Sequence, residues 1–319
     1  MVNQKKIQLI SRNKIDDSKW NLCVINSAAN LGYGHTHYLD GICENSWIGL
    51  VFKDYEAVFP LPIKRFWGVI PYIVQPKFCQ QLGAFGNNAE CTERDFIRAI
   101  PWYFIRVRLH LNPYYQDHST LGFANETVSI RTNFILNLHD PIKINKDGLK
   151  NIHAVSGFTY LINRLDAKTV IEFYKTRWGS VNQNIKTVDY QRLLSVIQKL
   201  GFVNESDQKS LGFVVVSAHP ANESQNQKNP MENNTAGAGL FLVTTTGTQR
   251  FAHFILGAQN LHYPGSQGIM HGILHNAIQY FQNKVDVFDF EGSSIPSVRD
   301  FYKKFNPVDK PFRIVKKGI

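Results

Sequence analysis

Residues 288–307 read FDFEGSSIPSVRDFYKKFNP. An apolar run, VDVFDF over 285–290, leads into the carboxylates Asp289 and Glu291. A Gly292–Ser293 turn follows, then an amphipathic segment, SVRDFYKKF over 297–305. Read as strand, turn and helix, the stretch sets Asp289 and Glu291 on one strand face and Phe288 and Phe290 on the other, because strand side chains alternate. Open α/β sheets gather ligands at the carboxyl ends of their strands, so Glu291 is a candidate general base. The plainer alternative is that Glu291 caps the next helix or pairs with a lysine.

Upstream, QRFAHFILGA (249–258) predicts another strand. The segment LGAQNLHYPGSQGIMHGILHNAIQYF carries it through a Gly-containing loop into a helix from about Ser266 to Gln282, with Ile269, Ile273, Leu274, Ala277, Ile278 and Phe281 as its apolar stripe. Unpaired amides at such a helix start favour an anion, and Gly265 and Gly268 would let a diphosphate approach the backbone. An ordinary helix start is the alternative. LGFVVVS (211–217) and GLFLVTTT (239–246) predict a hairpin across an Asn-rich, polar loop. Further back, Asp166 predicts the cap of a helix ending at Gly179, and a second helix spans 189–200.

The first half repeats this alternation. Trp47–Phe52 and Ala57–Ile63 predict a hairpin, with Pro60 and Pro62 pushing its second strand towards an edge or bulge. Strands at 70–74, 104–111 and 128–138 follow, with a Thr92-capped helix between the first two. Leu82-Gly83-Ala84 and Leu256-Gly257-Ala258 echo one another in similar surroundings, which suggests one domain type used twice. The stretch HDPIKINKDG (139–148) predicts the linker. The expectation is an α/β (α+β) protein with domains at 1–142 and 143–319, whose final strand, 311–316, packs on the first domain.

A chain of 319 residues exceeds the usual size of one core. Its net charge of +10 suits an anionic partner such as CoA, a phosphorylated substrate, tRNA or a membrane surface, or else a merely solvated basic surface. The four cysteines form no CxxC pair, and no apolar run resembles an export signal or membrane span; together these predict a cytoplasmic protein with free thiols. His271 and His275 are four apart on one helix, but HGILH lacks the Glu of HExxH, so no metal site is expected.

The order hairpin, strand, Gly-containing loop, helix, strand, Tyr-bearing helix resembles the GNAT N-acyltransferase fold. DFEGSSIPSVRDFYKKFN is also similar to the FemAB-like branch, in which two GNAT domains lie in tandem. The likeness is best over 239–316 and fair over 47–86. It implies two mixed, mostly antiparallel sheets flanked by helices. It implies that Tyr302 acts as general acid towards a departing thiolate, and that a backbone amide near Leu256, Gly257 and Ala258 polarises a carbonyl where the strand splays. By the same likeness Gly265, Ser266, Gln267, Gly268 and Ile269 form the pyrophosphate loop. The donor would be an acyl-CoA, or an aminoacyl-tRNA as in FemAB-like enzymes, which act on peptidoglycan precursors, and the acceptor an amine. The loop lacks the usual Gln/Arg-x-x-Gly-x-Gly/Ala pattern, and Asn306 stands where Gly is expected after the Tyr helix. These departures fit either the FemAB-like branch or a non-catalytic module that holds an anionic ligand.

Overall fold

A computed structural model describes residues 7–87, 89–115, 126–204, 209–221, 234–263, 268–292 and 295–318. The chain divides into two compact units. The first comprises Met1–Thr132, Thr246–Arg250 and Lys310–Ile319, and the second Asn133–Thr245 and Phe251–Asp309. The division falls after Thr132, upstream of the 139–148 stretch.

The first unit carries β1 (Ile7–Ser11), helices α1 (Asp17–Ile25) and α2 (Thr36–Cys43), then β2 (Trp47–Phe52), β3 (Ala57–Phe66), β4 (Ile70–Val74) and β5 (Phe85–Gly86). Helix α3 (Glu93–Ala99), β6 (Arg106–His110) and β7 (Glu126–Arg131) complete it, apart from one late strand. Thr92 and Asp95 form a capping box at α3, satisfying donors at both ends of its first turn.

The second unit carries β8 (Phe134–Asn137), α4 (Lys146–Ala154), β9 (Phe158–Ile162), α5 (Ala167–Trp178), α6 (Thr187–Leu200), β10 (Leu211–Pro220), β11 (Gly237–Thr244) and β12 (Phe251–Gln259). Helix α7 (Ile269–Phe281), β13 (Val287–Asp289), α8 (Pro296–Lys303) and β14 (Val308–Asp309) follow. Strand β15 (Phe312–Gly318) then returns to the first unit.

Among the described residues the first sheet has eight strands in the order β1-β2-β3-β4-β6-β15-β7, with β5 beside β3. The second has seven, β14-β8-β13-β12-β11-β10-β9. Most pairs are antiparallel; β4–β6 and β12–β13 are parallel. Each unit has its own core. In the first, Phe59, Phe96, Ile73 and Leu109 are buried together. In the second, α7 lays Ile269, Ile273, Leu274, Ala277, Ile278 and Phe281 against Phe241, Phe254 and Phe288. The ring of Phe241 meets those of Phe254, Phe281 and Phe288 at 5.3 to 5.7 Å, the spacing of favourable aromatic pairs.

Several local readings hold. Asp166 accepts from the Thr169 amide at 3.0 Å as the cap of α5. β10 and β11 pair in register from Leu211↔Thr244 to Ala218↔Gly237. Others are corrected. Residues 128–138 are two strands in different sheets, β7 and β8, parted at Thr132–Asn133. β3 is an interior strand, not an edge. Pro60 and Pro62 are two apart, so their missing N–H groups point to the same side. On its far side β3 meets β5 only at Ala57–Val58 and β4 only from Ile63, and the prolines sit in the gap between them. Asn145 caps α4, accepting from the Gly148 amide at 2.8 Å, so the end of the expected linker is already helix. The Leu-Gly-Ala pair is not equivalent in backbone: Gly83 has φ +88° in a loop, whereas Gly257 lies inside β12.

Candidate active site

β12 and β13 pair in parallel over only three residues, Phe251↔Val287, Ala252↔Phe288 and His253↔Asp289. Past that point the Phe290 amide turns to the carbonyl of Phe134 at 3.0 Å, while β12 continues to Gln259 against β11. The two neighbouring strands therefore part at His253 and Asp289. β12 is also irregular there. Its register with β11 jumps from Leu256↔Leu240 to Phe254↔Phe241, leaving Ile255 as the extra residue of a bulge. Bulges bend a strand and re-aim its side chains.

Three ionisable groups converge at the fork. His253 Nδ1 lies 3.1 Å from Glu291 Oε1 and 3.4 Å from Asp289 Oδ2. Asp289 Oδ1 accepts from the Glu291 amide at 2.8 Å, and Glu291 and Gly292 take positive φ of 66° and 58°. The side-chain acceptor and the left-handed pair together curl the chain back so that Glu291 reaches the imidazole. The phenyl ring of Phe251 stacks beneath that imidazole at 5.2 Å and 4°. Burial alone would push the His253 pKa down, but hydrogen bonds to Asp289 and Glu291 and their negative charge outweigh it, raising it to about 9. The cluster is thus an imidazolium whose Nδ1 faces both acidic side chains. His253 and Asp289 side chains are wholly buried and Glu291 keeps 14% exposure, so Glu291 is the member that reaches outward.

Tyr302 lies in the last turn of α8, its ring 5.1 Å from Phe290 and 6.4 Å from Phe254. Burial chiefly, and then the charges of Tyr174, Glu291 and Asp289, push its phenol well above the ordinary value. The phenol is therefore protonated across the neutral range and sits within the field of both carboxylates. Leu256 and Ala258 are buried and Gly257 half-buried on the part of β12 beyond the fork. Gly268 is the left-handed N-cap of α7, with no side-chain cap, and Ile269 begins the helix, buried. Gly265, Ser266 and Gln267 lie outside the described residues.

The structure thus brings Glu291, Asp289 and Tyr302 into one neighbourhood and adds His253, which the sequence reading passed over. The signal for it was a lone histidine in an otherwise apolar strand. On α7, His271 Nε2 is 3.1 Å from Asn151 Nδ2 and 3.5 Å from Lys304 Nζ. Burial first, and then Lys304, lower its pKa to about 4. Among the described residues His253, Asp289 and Glu291 form the one group of three His, Cys, Asp or Glu side chains whose ligand atoms fall within 4.8 Å of one another. A cation bound through His253 Nδ1 would have to displace the proton that its raised pKa places on the imidazole. No helix of the described residues is long and apolar enough to cross a membrane.

No family model matches the chain, and no curated protein is significantly similar to it in sequence. Solved structures are similar. Against FemX the TM-score is 0.59 at 11% identity, over 96% of each chain. The C-terminal domain described as that of a lysylphosphatidylglycerol synthetase from Agrobacterium fabrum gives 0.56 at 11%, over 96% of this chain and 92% of that one. A tandem GNAT protein from the clavulanic acid biosynthesis pathway gives 0.51 at 9%, over 98% of each. The fold is that of the FemAB-like tandem GNAT proteins. Within this fold the forked parallel strands and the triad belong to the second unit.

Proposed function

We propose that the chain is an acyl- or aminoacyl-transferase that moves an acyl group from an anionic donor to an amine. The observation that carries this reading is the parting of β12 and β13 at His253 and Asp289, with the Glu291 carboxylate beside the opening. A forked pair of strands leaves backbone groups of Leu256, Gly257 and Ala258 able to meet an extended donor, and an amide there would polarise its carbonyl. The uncapped N-terminus of α7 at Gly268 and Ile269, with Gly265, Ser266 and Gln267 ahead of it, would take the donor's phosphates. The donor would be an acyl-CoA or an aminoacyl-tRNA.

In the reaction the acceptor nitrogen attacks the carbonyl carbon and forms the new C–N bond. Its proton passes to Glu291, directly or through water. The C–S bond of a thioester, or the C–O bond of an ester, then breaks, and the leaving thiolate or alkoxide takes the Tyr302 proton. His253 holds the Glu291 carboxylate in place through the 3.1 Å contact, and Asp289 fixes the turn that presents it. A cell-wall precursor is one amine acceptor consistent with the FemAB-like fold.

A second reading has its own observation. An imidazolium 3.1 Å from Glu291 stabilises the ionised carboxylate and makes it a poorer base. A binding module that keeps the fold and holds an anionic ligand without turnover would tolerate this pairing. Calorimetric titration with CoA, acetyl-CoA and aminoacyl-tRNA, followed by an amine-acceptor screen with any donor that binds, separates the two. Transfer that Glu291→Gln abolishes supports the enzyme; saturable binding without transfer supports the module; no donor binding at millimolar concentration overturns both.

A further inference from the structure

The β3–β4 hairpin of the first unit turns on three residues, Trp67, Gly68 and Val69, between the paired Phe66 and Ile70, with the Val69 amide donating to the Phe66 carbonyl at 3.0 Å. The first two are left-handed, Trp67 at φ +48° and Gly68 at +74°. Tight turns with two successive left-handed residues normally fill the first position with Asn, Asp or Gly. A tryptophan there is strained, because its Cβ crowds the backbone in the left-handed region. It gains no packing in return, since Trp67 is 91% exposed. Arg65 Nη1 braces the tip by donating to the Val69 carbonyl at 3.1 Å.

A second tryptophan stands close by. β4 and β6 run parallel in register from Ile73↔Val107, so the residues leading into each strand reach the same end of the sheet. Those before β6 include Trp102, 90% exposed, with Tyr103 against it at 6.3 Å, and Ile105. Val69 is 72% exposed on the hairpin side. The same end is basic. Lys64, Arg65 and Arg106 are exposed, and β15 brings Lys316 and Lys317 opposite Arg108 and Val107 on β6 and opposite Thr127 and Glu126 on β7, so that Glu126 is the one acid paired in register with these cations. Residues 64–72, 101–108 and 312–318 contain no Asp or Glu.

We infer that this end of the first sheet docks on an anionic lipid bilayer, with Trp67 and Trp102 entering the headgroup layer and the surrounding Lys and Arg facing lipid phosphates. Indole rings settle at the membrane–water interface because one part is apolar and the N–H stays wet. Basic residues beside them add attraction to anionic headgroups. A protein partner fits less well. A three-residue tip and a short flanking loop offer far less than the roughly 800 Å² per side of a standard interface, and basic residues stand on the strands beside the apolar tip, where lipid phosphates would meet them.

The test is co-sedimentation of the full chain with phosphatidylcholine vesicles, with and without 30% phosphatidylglycerol. Binding to the anionic vesicles is expected, with at least a tenfold loss in the Trp67→Ser/Trp102→Ser variant. Both sites are solvent-exposed, and an unchanged melting temperature checks that the variant is folded. Lys64→Ala, Arg65→Ala and Arg106→Ala should each weaken binding about fivefold, more at low salt than high. Absence of binding to anionic vesicles at 0.1 M salt, or binding that the double tryptophan variant leaves intact, overturns the inference. So does self-association without vesicle binding that the same variant abolishes, which would make the patch a protein contact.

Discussion

His253 Nδ1 faces Glu291 Oε1 at 3.1 Å, a contact between residues 38 positions apart that exists because their strands run side by side in parallel for three residues before parting. The consequence for stability follows from its sign. The folded pKa, about 9, lies above the ordinary 6.5. The stabilisation is therefore complete below pH 6.5 and disappears as pH rises through 9. It is on the order of 3 kcal/mol at most. Melting temperatures from pH 6 to 10 should fall for the native chain more steeply than for His253→Asn, whose curve starts lower and runs flatter. Parallel curves would show that His253 is neutral in the fold.

Glu291→Gln is expected to lower turnover by about 10²- to 10⁴-fold, the usual contribution of a positioned general base. Donor affinity by calorimetry should stay within twofold. Equal losses in affinity and rate would place Glu291 in binding rather than proton transfer.

Tyr302→Phe removes one hydroxyl from a ring held by Phe254 and Phe290. The fold should survive, with a denaturation midpoint close to native, while turnover falls. A donor with a leaving group that needs no proton should restore much of the lost rate. If it does not, the hydroxyl has a structural role.

Gly272 on α7 leaves room for Tyr160, whose Oη would stand 1.8 Å from an added Cβ. Gly272→Ala gains about 1 kcal/mol of helix propensity and loses about 1 to 3 kcal/mol to overpacking. The net effect should be destabilising by denaturant titration, and the sign should invert in a Tyr160→Leu background. Stabilisation in the native background would mean that Tyr160 swings aside freely.

Ile314 and Val315 of β15 are buried. Ile314→Ala is expected to cost about 2 to 5 kcal/mol, detected as an early transition when unfolding is followed through the native tryptophans. A single late transition would show that β15 is dispensable.

Much of the second unit could be read along the sequence because its signals are local. Asp166 precedes an amphipathic run, the 269–281 stripe repeats at helical spacing, and Asp289, Glu291 and Tyr302 lie within fourteen residues. What escaped depended on pairing between distant segments. His253 is one polar residue in an apolar strand, and only the parallel register with β13 gives it partners. The break at Thr132–Asn133 carries no glycine or proline, so β7 and β8 read as one strand although they serve different sheets. Helix α1, DSKWNLCVI, buries Trp20, Cys23 and Val24 at helical spacing, but the exposed Leu22 between them blurs that stripe in the sequence.

Strand β7 has no neighbour but β15 among the described residues. Protein synthesis makes residue 131 long before residue 312, and nearly all of the second unit is translated in between. On the ribosome, the first sheet therefore waits for the strand that joins β6 to β7, with the inner edges of both open to any passing strand. Nascent chains stalled before residue 312 should expose the first unit to protease and to chaperones, whereas chains stalled far enough beyond 318 to free it from the exit tunnel should not.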